Sequence, residues 1–442
     1  MPSDHHFTRH HFTNNLRTMT TRRTILQSSS TGFGWLAFNA LHQQWASAAA
    51  PPKTINPLAP KPPHFAAKAK RVIFMCMQGG PSHLDTFDWK PELAKAEANK
   101  VQKHMGSVFD FKPRGKSGIM ISDAFPELAK HADDLCVLNG MQTRTNAHKM
   151  ATVALHIGSE TFVRPSMGAW IVYGLGTEAE DLPGFVTINP AADSGGAMNY
   201  GSAFLPATFQ GTRLSAGGSG VPDLYNERLS DAQQRKQIEF IQKANRKLLT
   251  GDPGNPEIEG IIQSYELAYK MQTSVPEVLE LDQEPQHIRD LYGLDDGDTE
   301  RFGTQCLMAR RMAEKGVRFI QLTSGGWDHH NNLRESLGRQ CTSIDKPIAG
   351  LIADLKQRDM LKDTLILWGG EFGRGSGYDN EPYNGRGHNG GGYTMWMAGG
   401  GVKGGFTYGS TNDMGNTAET GIIGTHDLHA PCCICLGSIT NG

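Results

Sequence analysis

Several common enzyme signatures are missing from this sequence. It has no Gly-x-x-x-x-Gly-Lys-Ser/Thr loop, no His-Glu-x-x-His pair and no Gly-x-Ser-x-Gly elbow, which argues against P-loop NTPases, zincin proteases and typical lipases. No charge of one sign dominates. Lys and Arg total 43 against 45 Asp and Glu, so there is no basic footprint for nucleic acid or an anionic membrane. The seven cysteines show neither metal-finger nor disulfide-framework spacing. Cys76, Cys136, Cys306 and Cys341 sit singly in apolar or helical surroundings and read as buried thiols. Long apolar runs are missing too. The longest early stretch, residues 32–50, is broken by Asn39, His42, Gln43 and Gln44, too weak and short for a stable membrane span.

What is present is enough for a large core. The 442 residues are 38% hydrophobic, and α/β enzymes of this size are often one domain with insertions. The 52 glycines gather late in the chain, where they permit tight loops around a site.

The N-terminal region reads as an export signal over residues 1–50. Thr21-Arg22-Arg23-Thr24-Ile25-Leu26-Gln27 is a twin-arginine pattern, followed by a moderately apolar segment and then small residues, Ala46 to Ala50. This order predicts export by the twin-arginine translocase, with a periplasmic or extracellular location. The His-rich residues before Met19 have no role in such a signal, and Met19 is the expected start. Residues 51–70 read as a Pro-rich, Lys-containing linker.

From residue 71 the pattern predicts an α/β domain with a mainly parallel sheet flanked by helices. Arg71–Met77 is a continuous apolar run, the mark of a strand buried on both faces, and it opens into Gly79-Gly80-Pro81. Leu135–Leu138, Val186–Ile188, Val317–Leu322, Thr364–Trp368 and Tyr393–Ala398 read as further strands. Helical segments fall between them, with a helical insertion over about 224–315.

In open parallel sheets, sites gather beyond the carboxyl ends of strands. Three such places hold chemistry. The first strand leads into Ser82-His83-Leu84-Asp85. The strand ending at Leu322 leads into Trp327-Asp328-His329-His330, a carboxylate beside imidazoles, suited to zinc, manganese or iron. The strand at Thr364 leads into Glu371-Phe372-Gly373-Arg374, then a Gly-rich excursion to Arg386-Gly387-His388. Glu371 and His388 can ligate a metal, and Arg374 and Arg386 can hold an oxyanion through forked hydrogen bonds. A helix start after the second strand offers Thr143, Thr145 and His148 near free backbone N–H groups; Thr145 and His148 are taken as catalytic candidates. His426-Asp427-Leu428-His429 reads equally as a metal pair or a helix cap.

The twin-arginine start, GGPSHLDTFDWKPEL, RPSMGAWIVYGLG with LPGFV, GGWDHH, EFGR, GRGHN, AGGGVKGG and HDLHA together resemble the bacterial domain-of-unknown-function family numbered 1501, from the signal to Ala430. The resemblance implies an alkaline-phosphatase and sulfatase type of fold. It implies that Asp328, His330 and His388 form one divalent-metal site, of zinc, manganese or calcium, and that Asp85 and Glu371 form a second. It also implies departures. Phe372 stands where a further His of the second site would be, and the sulfatase Cys-x-Pro-x-Arg signature is missing, with His148-Lys149-Met150 at a similar helix start.

The function expected on this reading is metal-dependent hydrolysis of phosphate or sulfate esters on a small molecule or glycan. A metal-containing binding protein for sulfated or phosphorylated glycans is the alternative. At the end of the chain the resemblance breaks. A nucleotide sequence that encodes Pro431–Gly442 also encodes, in another frame, the helix that such relatives carry there. The tail is therefore expected to be a frameshift product, a C-terminal truncation that leaves apolar surface exposed.

Overall fold

The computed structural model describes residues 56–99, 103–216, 228–252, 255–379, 382 and 384–438. The twin-arginine segment lies outside the described residues. Fifteen strands are numbered in chain order: β1 Arg71–Met77, β2 Phe111–Arg114, β3 Ile119–Ser122, β4 Leu135–Gln142, β5 Phe185–Ile188, β6 Thr212–Leu214, β7 Phe319–Ser324, β8 Thr364–Gly369, β9 Gly373–Tyr378, β10 Arg386–Asn389, β11 Tyr393–Gly399, β12 Phe406–Tyr408, β13 Ser410–Thr411, β14 Ala418–Thr420 and β15 Ile423–Gly424. The helices used below are α1 His148–Ile157, α2 Met167–Leu175, α3 Asp231–Gly251, α4 Pro256–Leu279, α5 Glu300–Glu314, α6 Leu333–Gln357 and α7 His429–Cys435.

Nine strands form the main sheet, in the order β12-β4-β11-β8-β1-β7-β5-β6, with β15 also on β4. Every pairing is parallel except those of β11, which runs against both β4 and β8. The mainly parallel α/β sheet flanked by helices is thus as the sequence pattern implies. β1 lies between β7 and β8, and all seven of its residues are buried. That is why it reads as an unbroken apolar run: helices cover both faces, so neither face needs polar side chains.

One face carries α5 and α6. Helix α5 turns Phe302, Cys306, Met308, Ala309 and Met312 into the core, and α6 contributes Leu337, Ile344, Ile348 and Ile352. The other face carries α1, α2 and α7, with Leu155, Ile171, Val172 and Cys432 against Phe74, Phe185 and Phe319. The expected helical insertion narrows accordingly. Helices α3 and α4 pack on each other, whereas α5 lies inside the expected insertion bounds but belongs to the sheet. Cys76, Cys136, Cys306 and Cys341 are all buried free thiols.

Two expectations change at the chain ends. Described residues 56–70 are docked on the domain, and they do not form a free linker. Leu58 and Ala69 are buried, and the N–H groups of Lys61, His64, Lys68 and Lys70 donate to carbonyls of Leu175, Gly437, Cys435 and Asp363. Lys61 Nζ also donates to the Tyr173 carbonyl and Lys70 pairs with Asp363, so the Pro- and Lys-rich composition hides the docking. The tail likewise covers apolar surface. Helix α7 buries Cys432, and Leu436 follows into the same cluster. Burial raises the Cys432 thiol pKa well above its ordinary value and pushes Cys433 up to about 11, so neither is a ready thiolate for a metal. Among the described residues no helix is long and apolar enough to cross a membrane.

Candidate functional site

The carboxyl ends of β1, β4, β7 and β8 converge on one cluster. β7 leads to Asp328 and His330, β8 to Glu371, and β4 to the start of α1 with His148. The β9–β10 hairpin brings Arg374, Asp379 and His388. Backbone proximity makes this possible. Gly79, at φ +119, sits so close to the next loop that a Cβ there would lie 2.7 Å from the Asp328 nitrogen. Gly385 lets the hairpin meet the His330 carbonyl, 1.9 Å from where its own Cβ would be.

Asp328 is the hub. Its Oδ1 lies 2.8 Å from His330 Nε2 and 3.1 Å from His388 Nε2, and its Oδ2 lies 3.3 Å from His148 Nε2. The Nε2 atoms of His330 and His388 are 3.0 Å apart. Ligand atoms of His148, Asp328 and His388 all fall within 4.8 Å of one another. Each ring is held from its other nitrogen. His148 Nδ1 donates to Glu371 Oε1 at 2.6 Å, His388 Nδ1 to the Asn146 carbonyl at 2.7 Å, and His330 Nδ1 to Asp379. Those three partners only accept. Neutral imidazoles held in this way carry their proton on Nδ1 and present bare Nε2 lone pairs to Asp328. Consistent with this, His148 Nε2 is buried and makes no hydrogen bond, although Asp328 Oδ2 is near.

The electrostatics follow the geometry. Burial alone would raise the Asp328 carboxyl pKa, but the bond and charge of Arg374, with His388 and His148, bring it well below the usual carboxylate range. For His148 burial lowers the pKa, and the Glu371 bond together with the Glu371 and Asp328 charges more than offsets that, so the net shift is upward. Burial lowers the pKa of His388. The cluster is not sealed: the Asp328 side chain is 43% exposed.

The expected site residues divide into two groups. Asp328, His330 and His388 lie together, the grouping that the resemblance implies. His148 joins them, so it stands among the candidate donors and not apart from them. Thr145 turns its hydroxyl to the Ala147 N–H at 3.1 Å. Glu371 is fully buried, and its two oxygens accept the Gly79 N–H at 3.0 and 3.2 Å, with His148 on Oε1. Beside it, the buried ring of Phe372 lies 4.7 Å from the ring of His148 and 4.8 Å from that of His388.

Asp85 and the arginines need a different account. The Asp85 carboxylate is fully buried and grips Arg386, with Nε–Oδ2 at 2.7 Å and Nη2–Oδ1 at 3.1 Å. Ser82 and the Val108 N–H, at 2.9 Å, take further lone pairs. Arg386 is equally enclosed, its other donors reaching the carbonyls of Met105, Gly106 and Gly375. A saturated, buried guanidinium has no donor left for an oxyanion. Arg374 is similar: it donates to carbonyls of Gly79, Gly80, Trp327 and Arg386, and its Nη2 holds Asp328 Oδ1 at 2.5 Å. It positions the hub. At the other motif, His429 Nε2 donates to the Leu155 carbonyl at 2.9 Å, while His426 pairs with Asp427 at the surface. Asp379 was not anticipated, because its only signal is one acidic residue inside a Gly-rich excursion.

No curated protein matches the chain in sequence. In structure it is similar to the lipoteichoic acid synthase LtaP from Listeria monocytogenes, at 11% identity over 87% of this chain and 76% of that one, with a TM-score of 0.38. It is similar to the PsFucS1 sulfatase from Pseudoalteromonas sp., at 13% identity over 92% and 71%, TM-score 0.36. A third likeness is to the alkaline phosphatase from the Antarctic bacterium TAB5, at 10% identity over 76% and 92%, TM-score 0.32. The family model for proteins of unknown function DUF1501 matches residues 69–440, and the chain belongs to that family.

Proposed function

We propose that this chain is an exported, metal-dependent hydrolase of phosphate or sulfate esters whose ion is held by Asp328, His330 and His388. One observation carries the reading: the Nε2 atoms of His330 and His388 face one another and a carboxylate across 2.8–3.1 Å, while each ring's Nδ1 is held on an acceptor. With the rings neutral and their protons on Nδ1, lone pairs repel at that spacing, and a cation between them removes the repulsion. Ligands of one zinc ion, each about 2.0–2.1 Å from it, stand roughly 3 Å apart. Imidazole donors suit zinc or manganese better than calcium, which binds through oxygen.

A divalent ion bound there supplies Lewis acidity toward an ester oxygen. The chain's own residues do the rest. Arg374 fixes Asp328 and keeps it ionised, Asp379 holds the proton on His330 Nδ1, and the Asn146 carbonyl holds that of His388. Such outer partners set ring orientation and donor strength. The exposed side of Asp328 leaves an approach for a substrate on a small molecule or glycan. Export by the twin-arginine translocase rests on Arg22 and Arg23 and places the activity in the periplasm or outside the cell.

One observation favours a binding protein for sulfated or phosphorylated glycans: Thr145 is turned to its own backbone, and both arginines are enclosed. Metal analysis of the exported protein, with turnover of aryl phosphates and aryl sulfates, decides. Metal with turnover that disappears in Asp328→Ala supports the hydrolase. Metal without turnover supports binding, and a metal-free exported protein overturns both.

A further inference from the structure

The family resemblance implies a second metal site of Asp85 and Glu371, yet neither side chain is arranged for one. Asp85 is committed to Arg386, Ser82 and Val108. Glu371 is enclosed, with its oxygens on the Gly79 N–H and on His148 Nδ1, and the Phe372 ring occupies the neighbouring space. His148 is the residue that faces the hub. It is the first residue of α1, and its Nε2 lies 3.3 Å from Asp328 Oδ2 without making a hydrogen bond. With the Nδ1 proton on Glu371, the neutral ring has its Nε2 lone pair directed at the hub and unused by any hydrogen bond.

We infer that the centre takes a single ion, with His148 Nε2 as a fourth protein donor and Glu371 as the positioning residue that fixes its tautomer. The inference rests on the metal-centre reading above and deepens it. Glu371 acts through His148: it accepts the Nδ1 proton at 2.6 Å, which leaves Nε2 free to donate its electron pair. The Gly79 N–H also donates to its carboxylate, at 3.0 and 3.2 Å to the two oxygens. Two of the three rings thus rest on buried or half-buried carboxylates, His148 on Glu371 and His330 on Asp379, and the third rests on a carbonyl. Of the three nitrogens and one carboxylate, His148, Asp328 and His388 have ligand atoms within 4.8 Å of one another, and His330 stands against Asp328 and His388. This arrangement does not call for a carboxylate-bridged pair of ions.

The test is titration of the full-length apoprotein with Co²⁺ and Zn²⁺, read by stoichiometry, affinity and the Co²⁺ visible spectrum. The wild-type chain is expected to take one ion. His148→Ala is expected to keep that stoichiometry, weaken binding by about 10–100-fold and change the Co²⁺ spectrum. Glu371→Gln, whose amide oxygen can still accept from Nδ1, is expected to keep the wild-type spectrum with a smaller loss of affinity. Glu371→Leu is expected to reproduce the His148→Ala spectrum; should it fail to fold, the other two variants still decide. Two ions in the wild type, one of them lost in Glu371→Gln, would make Glu371 a ligand and overturn the inference alone. So would a His148→Ala spectrum and affinity equal to wild type. A wild-type chain that binds no ion overturns the metal-centre reading itself, a result distinct from both.

Discussion

Replacing Asp85 with Asn separates a metal ligand from a structural anion. The substitution keeps shape and removes one charge. In the wild type, Arg386 and Asp85 face each other with two hydrogen bonds of 2.7 and 3.1 Å, and both side chains are fully buried. Burial would raise the Asp85 carboxyl pKa; the Arg386 charge and bonds, with Ser82 and Val108, outweigh that and lower it. Asn can present one oxygen to the guanidinium, but its NH₂ group then points a donor at another donor. Arg386 keeps its carbonyl partners yet loses its counter-charge in the core. Breaking a buried pair from one side costs about 3–5 kcal/mol, because the remaining charge is uncompensated. Against a total stability of about 5–15 kcal/mol, that is a large fraction. The assay is urea unfolding of apoprotein and metal-loaded protein, with metal content measured alongside. The expected outcome is a loss of unfolding free energy of that size in both forms, seen as a lower urea midpoint, and unchanged metal stoichiometry. Loss of metal with the apoprotein's stability intact would refute the reasoning and return Asp85 to the ligands.

Three further outcomes are expected. Asp328→Ala and His388→Ala should each remove most of the bound metal, measured by elemental analysis, because one ligand is a large share of a small donor set. Burial lowers the pKa of His156 from 6.5 to about 4 with its Nδ1 on the Thr152 carbonyl, so the folded state binds fewer protons than the unfolded chain. The sign follows: this contribution is fully present above pH 6.5 and is lost as pH falls from 6.5 toward 4, by about 3 kcal/mol. His156→Phe should flatten the stability curve in that window, as followed by urea unfolding at a series of pH values; an unchanged curve would refute it. Replacing Arg22 and Arg23 with Lys should leave the precursor in the cytoplasm, and unchanged export in a fractionation experiment would remove the twin-arginine reading.

The strands that position the site are legible in the sequence because burial on both faces forces apolar runs. β1, β7 and β8 read directly, and the residues just past β7 and β8 supply Asp328 and Glu371. His330 and His388 were legible for the same reason, each lying in a polar cluster after a strand. His148 was visible only as a helix-start residue. Its place in the cluster depends on β4 and β7 ending at the same edge of the sheet, a tertiary fact that no local pattern carries. The docking of residues 56–70 was hidden for a related reason, since its partners Leu175, Asp363, Cys435 and Gly437 are far away in the sequence.

The arginines show where residue type misleads. A guanidinium near a site has the same sequence signature whether it faces a substrate or is locked in the core, because its fork matches a carbonyl pair as well as an oxyanion. The decision comes from counting donors. Arg386 offers five N–H groups, and Asp85 with the Met105, Gly106 and Gly375 carbonyls engages them. Arg374 spends its own on four carbonyls and Asp328. With both committed, neither can follow charge that develops on a substrate, and the positive charge available to the site must come from elsewhere. Three imidazoles with their Nδ1 protons pinned to acceptors provide none while they are neutral. On the proposed reading, a cation at Asp328 would both resolve the facing lone pairs and supply that charge.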